Sequence, residues 1–126
     1  MINNRISNIL SRIRNTISST HNGWIIDQRD LYNSKEVLDL LAKLGELGYV
    51  RFVNGSWYLN TLPHSNFPIL ADIKGRSKSG KRMYRNSKNA GKENEIVRTS
   101  SGYLTGTEAR FNKKGGEIIL KIDRKG

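Results

Sequence analysis

The sequence predicts an α+β protein of two small units, an amino-terminal α-β-α-β-β domain and a carboxy-terminal β-rich unit with one short helix. Three observations carry this prediction. Two apolar stripes recur at helical spacing within the first fifty residues, and an Asn54-Gly55 pair separates two short apolar runs. Beyond residue 68, strand-like runs alternate with turns rich in glycine, serine and lysine. The boundaries that follow are 1–61 for the first domain, 62–68 for a linker containing Pro63 and Pro68, and 69–126 for the second domain.

Each element has its own signal. Ile6, Ile9, Leu10, Ile13 and Ile17 form one face of a helix over 4–19, with Arg5 and Arg12 along one edge of the stripe and Arg14 along the other. Trp24-Ile25-Ile26 is a short strand after the Asn22-Gly23 turn. A second helix begins at Asn33 as its cap, with Glu36 completing a capping-box-like start. Its buried face is Val37, Leu40, Leu41, Leu44 and Leu47, and Gly48 ends it in the left-handed conformation. Tyr49–Val53 and Ser56–Asn60 pair through Asn54-Gly55, the dipeptide that favours a type I′ turn.

In the second unit, Ile69–Ile73 and Arg82–Arg85 are strands around a Gly/Ser/Lys turn, and residues 86–94 are polar and irregular. Glu95–Thr99 is a strand, Thr105 caps a short helix with Glu108 in the capping-box position, and that helix ends near Phe111. Glu117–Ile122 closes the fold as a strand. Trp24, Trp57 and Tyr58 are expected to pack in the core or between domains.

Charge narrows the function. The net charge is +11, and it is not spread evenly. Residues 1–26 hold Arg5, Arg12 and Arg14 without an acid; residues 73–92 hold eight bases without an acid. Residues 27–72 carry six acids against four bases. Clustering of this kind fits a face that binds a polyanion, nucleic acid before membrane. With no cysteine, disulfides, thiolate catalysis and cysteine-based zinc sites are excluded. His21 and His64 lie far apart, the eleven acids are scattered, and no apolar run approaches the length of a membrane span. No catalytic residue, cofactor, metal, membrane or small-molecule substrate is expected.

Two loops are candidates for contact with a polar ligand: Thr99-Ser100-Ser101-Gly102 after one strand, and Gly115-Gly116-Glu117 before another. Small side chains let backbone N–H and hydroxyl groups approach phosphates, 2′-hydroxyls and base edges, and a nearby carboxylate accepts from a base amino group.

The segment TSSGYLTGTEARFNKKGGEIILKI (99–122) resembles the carboxy-terminal signature of the small-subunit ribosomal protein eight family. Thr99, Ser100, Gly102, Thr105, Ala109, Arg110, Gly115, Gly116 and Glu117 fall on that pattern without a gap. Leu10–Asn15, Ser34-Lys35 through Gly48-Tyr49-Val50, and Ser79–Tyr84 match further family segments in the same order. The resemblance implies a two-domain protein that binds an irregular helix in the central domain of small-subunit rRNA, beside neighbouring small-subunit proteins. It implies that Thr99, Ser100 and Ser101 insert at the irregular site, with Gly102, Gly115, Gly116 and Glu117 alongside. Tyr84, Arg82, Lys81, Lys78 and Arg85 would supply stacking and phosphate contacts, and Lys35, Arg12 and Arg14 a second, phosphate-directed contact.

This chain departs from the pattern in places. Arg98 stands where the family has serine, Ser101 where it often has lysine, and Ser79 where it has proline. The span from Tyr84 to Thr99 is about five residues shorter than usual, which counts against a family contact there. Because Leu10–Asn15 aligns inside the family's first helix, no cleavable leader is expected. The Ile- and Asn-rich composition then points to a mitochondrial, organelle-encoded member, with a plastid or bacterial cytoplasm as the alternative. A competing class is a winged-helix DNA-binding regulator, suggested by residues 33–60. The outer face of that helix, with Lys35, Asp39, Lys43 and Glu46, is too mixed in charge for a major groove, and residues 95–122 are left unused.

Overall fold

Isoleucine spacing makes the first helix. In the computed structural model, which describes residues 4–18, 23–31, 34–63, 67–75, 84–85 and 94–124, α1 runs Asn4–Ser18. Ile6, Ile9, Leu10 and Ile13 are buried, while Arg5, Arg12 and Arg14 are exposed at the margins of the stripe. β1 (Trp24–Asp27) follows, and a 3-10 turn (Gln28–Leu31) leads towards α2 (Lys35–Glu46). Leu40, Leu41 and Leu44 on α2 are wholly buried. Each aliphatic side chain so buried contributes about 1.5–3 kcal/mol relative to an exposed one.

The end of α2 shows why glycine stands at position 48. Leu47 is the cap residue, Gly48 takes φ +89°, Tyr49 N–H donates to Leu44 O at 2.9 Å and Gly48 N–H to Gly45 O at 3.0 Å. These two bonds satisfy carbonyls that the helix leaves over, in the Schellman arrangement. β2 (Val50–Val53) and β3 (Ser56–Leu59) then form the hairpin through Asn54 (φ +49°) and Gly55 (φ +82°). The first sheet is antiparallel in the order β1-β3-β2, with Phe52, Trp57 and Ile26 in one register row and Arg51, Tyr58 and Trp24 in the next. Tyr58 and Trp57 are half-buried, whereas Trp24 is 40% exposed and does not join the core as expected; its indole N–H donates to Asp27 instead.

The start of α2 differs from expectation. The cap is Ser34, not Asn33, and no side-chain cap hydrogen bond is made. Asn33 itself lies outside the described residues. The reason is the 3-10 turn: Ser34 N–H donates to Leu31 O at 3.0 Å, so the turn hands the chain to the helix one residue later. With Ser34 as cap, the third helical position is Val37, which cannot reciprocate.

The second sheet has the order β4-β8-β6-β7, with β5 paired to β8. Its strands are β4 (Leu70–Gly75), β5 (Tyr84–Arg85), β6 (Glu95–Thr99), β7 (Gly102–Thr105) and β8 (Gly116–Arg124), and α3 (Gly106–Phe111) sits between β7 and β8 in sequence. β7 is not foreseen by the sequence: four residues with a glycine at one end carry no periodic signal. The α3 capping box does form, Glu108 N–H donating to Thr105 Oγ1 at 3.1 Å and Thr105 N–H to Glu108 Oε1 at 3.0 Å. Ile96, Val97, Ile118, Ile119 and Leu120 are buried. By compactness the chain divides into 5–73 with 123–126 and 1–4 with 74–122.

Candidate nucleic-acid interface

Thr99 and Gly102 are register partners, so Ser100 and Ser101 form a two-residue tip between β6 and β7. Both serines and Gly102 are exposed. The Thr99 hydroxyl is spent inside the turn: it donates to Gly102 O and accepts from Ser101 N–H, each at 3.0 Å. Gly102 has φ +98° with nothing within 4 Å of where a Cβ would stand. The glycine is therefore there for its backbone conformation, not for lack of space. A self-bonded turn leaves two serines exposed at its tip.

Strand pairing brings the second loop to the same place. Across the sheet, Tyr84 stands opposite Glu117, Glu117 opposite Arg98, and Arg98 opposite Tyr103. One step along, Arg85 stands opposite Gly116. Directly opposed residues share a face of a sheet, and Arg98 Nη2 donates to Glu117 Oε1 at 3.1 Å. Gly116 is needed here for closeness: a Cβ would lie 2.2 Å from the Arg98 carbonyl oxygen. Gly115, exposed, enters β8 just before it.

The expected base-facing carboxylate is turned inward. Glu117 is 7% exposed and engages Arg98. Burial alone raises its pKa, but hydrogen bonding and positive charge, Arg98 among the contributors, outweigh burial and hold the carboxyl below the ordinary glutamate value. Glu117 in this geometry anchors a guanidinium beside the hairpin.

In the amino-terminal region, Arg5 and Arg12, seven residues apart, line one cavity together with Ser34 at the start of α2. Arg14 points elsewhere and pairs with Asp72 at 3.7 Å. Lys35 is exposed on the first residue of α2. The structure thus brings Arg12 to a site with Arg5, not with Arg14. Lys78, Lys81 and Arg82 lie outside the described residues, and for Tyr84 and Arg85 the backbone register alone is described. Arg98, Arg5 and Ser34 were not among the candidate residues that the sequence singled out, and the structure sets them beside residues that were. The spacing of Arg5 and Arg12 was a signal for their shared face, and Ser34 opens one of the matched family segments. Among the described residues no group of three or more His, Cys, Asp or Glu side chains is placed to hold a metal ion, and no helix is long and apolar enough to cross a membrane.

Comparison with known proteins places this chain in a family. The family profile for Ribosomal protein S8 matches residues 4–122. The chain is 31% identical to small ribosomal subunit protein uS8 of Oleidesulfovibrio alaskensis, over 97% of this chain and 99% of the relative. It is 35% identical to small ribosomal subunit protein uS8c of Cyanidium caldarium, again over 97% and 99%, and 31% identical to uS8 of Petrotoga mobilis over 93% and 96%. A match that runs through both units gives no support to the winged-helix alternative, which used residues 33–60 alone. The chain belongs to the ribosomal protein S8 family.

Proposed function

We propose that this protein is a structural constituent of the small ribosomal subunit that binds the central domain of its rRNA at an irregular helix, supporting assembly and translation without catalysing a reaction. The observation that carries the reading is the exposed Ser100-Ser101 tip, held rigid by Thr99 and Gly102 and flanked by Arg98 and Gly116. Irregular RNA offers unstacked bases and 2′-hydroxyls, and small donors on a stiff turn reach them where long side chains could not fit. The basic run of 73–92 supplies the sequence-independent attraction. Residues 1–61 and 69–126 act as two grips, joined through 62–68, with the carboxy-terminal grip reading the irregular site and the amino-terminal one holding phosphates. Partners are small-subunit rRNA and neighbouring small-subunit proteins. Location is an organellar ribosome, mitochondrial on the Ile- and Asn-rich composition; similar proteins include bacterial uS8 and the uS8c form.

The test compares two substitutions on an rRNA stem with and without its internal loop. Ser100→Tyr should erase the preference for the looped stem, a loss of roughly 1–3 kcal/mol, the size of one specific base contact. Arg85→Ala should weaken both stems alike and reduce the salt slope by about one. Equal behaviour of the two variants, read by filter binding at fixed salt, overturns the assignment of the hairpin as the discriminating element.

A further inference from the structure

We propose that the outer face of the β1-β3-β2 sheet docks a neighbouring small-subunit protein, which seats an apolar side chain against Trp24 and Val53 and a carboxylate on Arg51. The proposal rests on the ribosomal reading for the class of partner.

A β-bulge makes this face. Trp24 and Asp27 stand at an odd spacing on β1, which in a regular strand would send their side chains to opposite faces. The register shifts between Trp24 and Ile26, so that Trp24 stands opposite Tyr58 and Asp27 opposite Ser56. Both side chains therefore leave from one face, and Trp24 Nε1 donates to Asp27 Oδ1 at 3.0 Å. β3 carries the two rows on to β2, with Tyr58 opposite Arg51 and Ser56 opposite Val53. The other face holds Val50, Leu59 and Ile26, all buried. The outer face shows Trp24 at 40% and Val53 at 42% exposure, with Arg51 exposed beside them.

Composition and bonding choose a protein over nucleic acid. Trp, Tyr and Arg are the residues that dominate binding at protein interfaces, and Lys and Glu, depleted from such interfaces, are absent from both rows. A base platform needs an open ring face. Here the Arg51 guanidinium lies over the Tyr58 ring, 5.3 Å from its centroid. Asp27 keeps a negative charge on the face: Ser56 and Trp24 donate to it and hold its pKa below the ordinary aspartate value, so a phosphate is repelled. The stretch that carries the face, residues 27–72, has six acids against four bases in a chain of net charge +11.

The face is also set in advance. Arg51 Nη1 donates to Leu59 O at 3.1 Å and to Asn60 Oδ1 at 3.3 Å, and the indole is tied to Asp27, so docking orders few side chains. Arg29, with 84% of its side chain exposed, reaches Asp27 at 3.5 Å and adds a second cation at the rim. Two guanidinium groups against one carboxylate select an acidic residue next to the apolar one on the partner.

The experiment puts the photocrosslinker benzoylphenylalanine in place of Val53 or, in a second sample, of Ser100 in the full chain, and each is assembled into small ribosomal subunits. After irradiation, the joined peptides and nucleotides are identified by mass spectrometry. Position 53 should join one small-subunit protein, at a segment where an aliphatic or aromatic residue neighbours Asp or Glu; position 100 should join rRNA. Trp24→Ser and Arg51→Glu, each combined with the label at position 53, should lower the protein crosslink about tenfold. Both should leave affinity for the rRNA stem unchanged, which shows that they fold. Position 53 joined to rRNA, to a second copy of this chain or to nothing overturns the docking face, and so does a protein crosslink that neither variant weakens. A protein crosslink at position 53 with none to rRNA at position 100 overturns the hairpin reading and upholds the docking face. A chain that does not sediment with small subunits removes the ribosomal reading, and this proposal with it.

Discussion

Thr105 and Ser34 each stand at the start of a helix with a hydroxyl available, and they use it differently. Thr105 is fully buried and closes a reciprocal pair of bonds with Glu108. Ser34 is nearly as buried and makes no side-chain cap bond. The same contrast runs through their surroundings. Around the β6-β7 hairpin, Thr99 bonds within its own turn and Glu117 Oε1 accepts from Arg98. At the start of α2, Ser34 lines one cavity together with Arg5 and Arg12. A cap that is satisfied by its own helix is part of the fold.

This contrast makes demands on stability. The largest stability effect should come from Gly116→Ala. Its Cβ would stand 2.2 Å from the backbone oxygen of Arg98, which no rotamer change can relieve. We expect a loss of about 2–3 kcal/mol in chemical denaturation, the upper part of the range for overpacking. A smaller loss would mean that the two strands are free to move apart.

Thr105→Ala and Ser34→Ala form a matched pair. The first removes a working cap and should cost about 1 kcal/mol. The second removes a hydroxyl that makes no side-chain cap bond and should change stability by less than about 0.5 kcal/mol. Equal losses in denaturation midpoint would show that Ser34 is a structural cap after all, and the contrast would fail.

The smallest effect concerns acid. Glu117 has its folded pKa below the ordinary value of 4.5. A depressed carboxyl contributes stability that is present above its unfolded pKa and is lost as pH falls through the folded one. The stability advantage of the wild type over Glu117→Gln should therefore be full at pH 6 and should shrink below about pH 4.5. An advantage that grows on acidification contradicts the Arg98 pairing.

Legibility followed sequence distance. α1, α2 and α3, the Asn54-Gly55 turn and the Gly48 terminator were readable because each depends on residues within one or two turns of one another. The Thr105-Glu108 box was readable for the same reason, and it formed. The box expected at Asn33 and Glu36 falls partly outside the described residues; the cap is Ser34, which follows a 3-10 turn that no local pattern announced. β7 was too short to signal itself, and it exists through its pairing with β6.

By itself, then, the sequence determined the helices, the turns, the clustering of positive charge and the collinear segments that place the chain in its family. Tertiary structure decided that Glu117 faces Arg98, that Arg5 and not Arg14 accompanies Arg12, and that Ser34 is the cap of α2. The physical reason is the range of the interactions. Helix periodicity and turn conformation are set by a few adjacent residues, whereas strand register and the walls of a cavity join residues some 20 to 30 positions apart, whose meeting is fixed by how the whole unit packs.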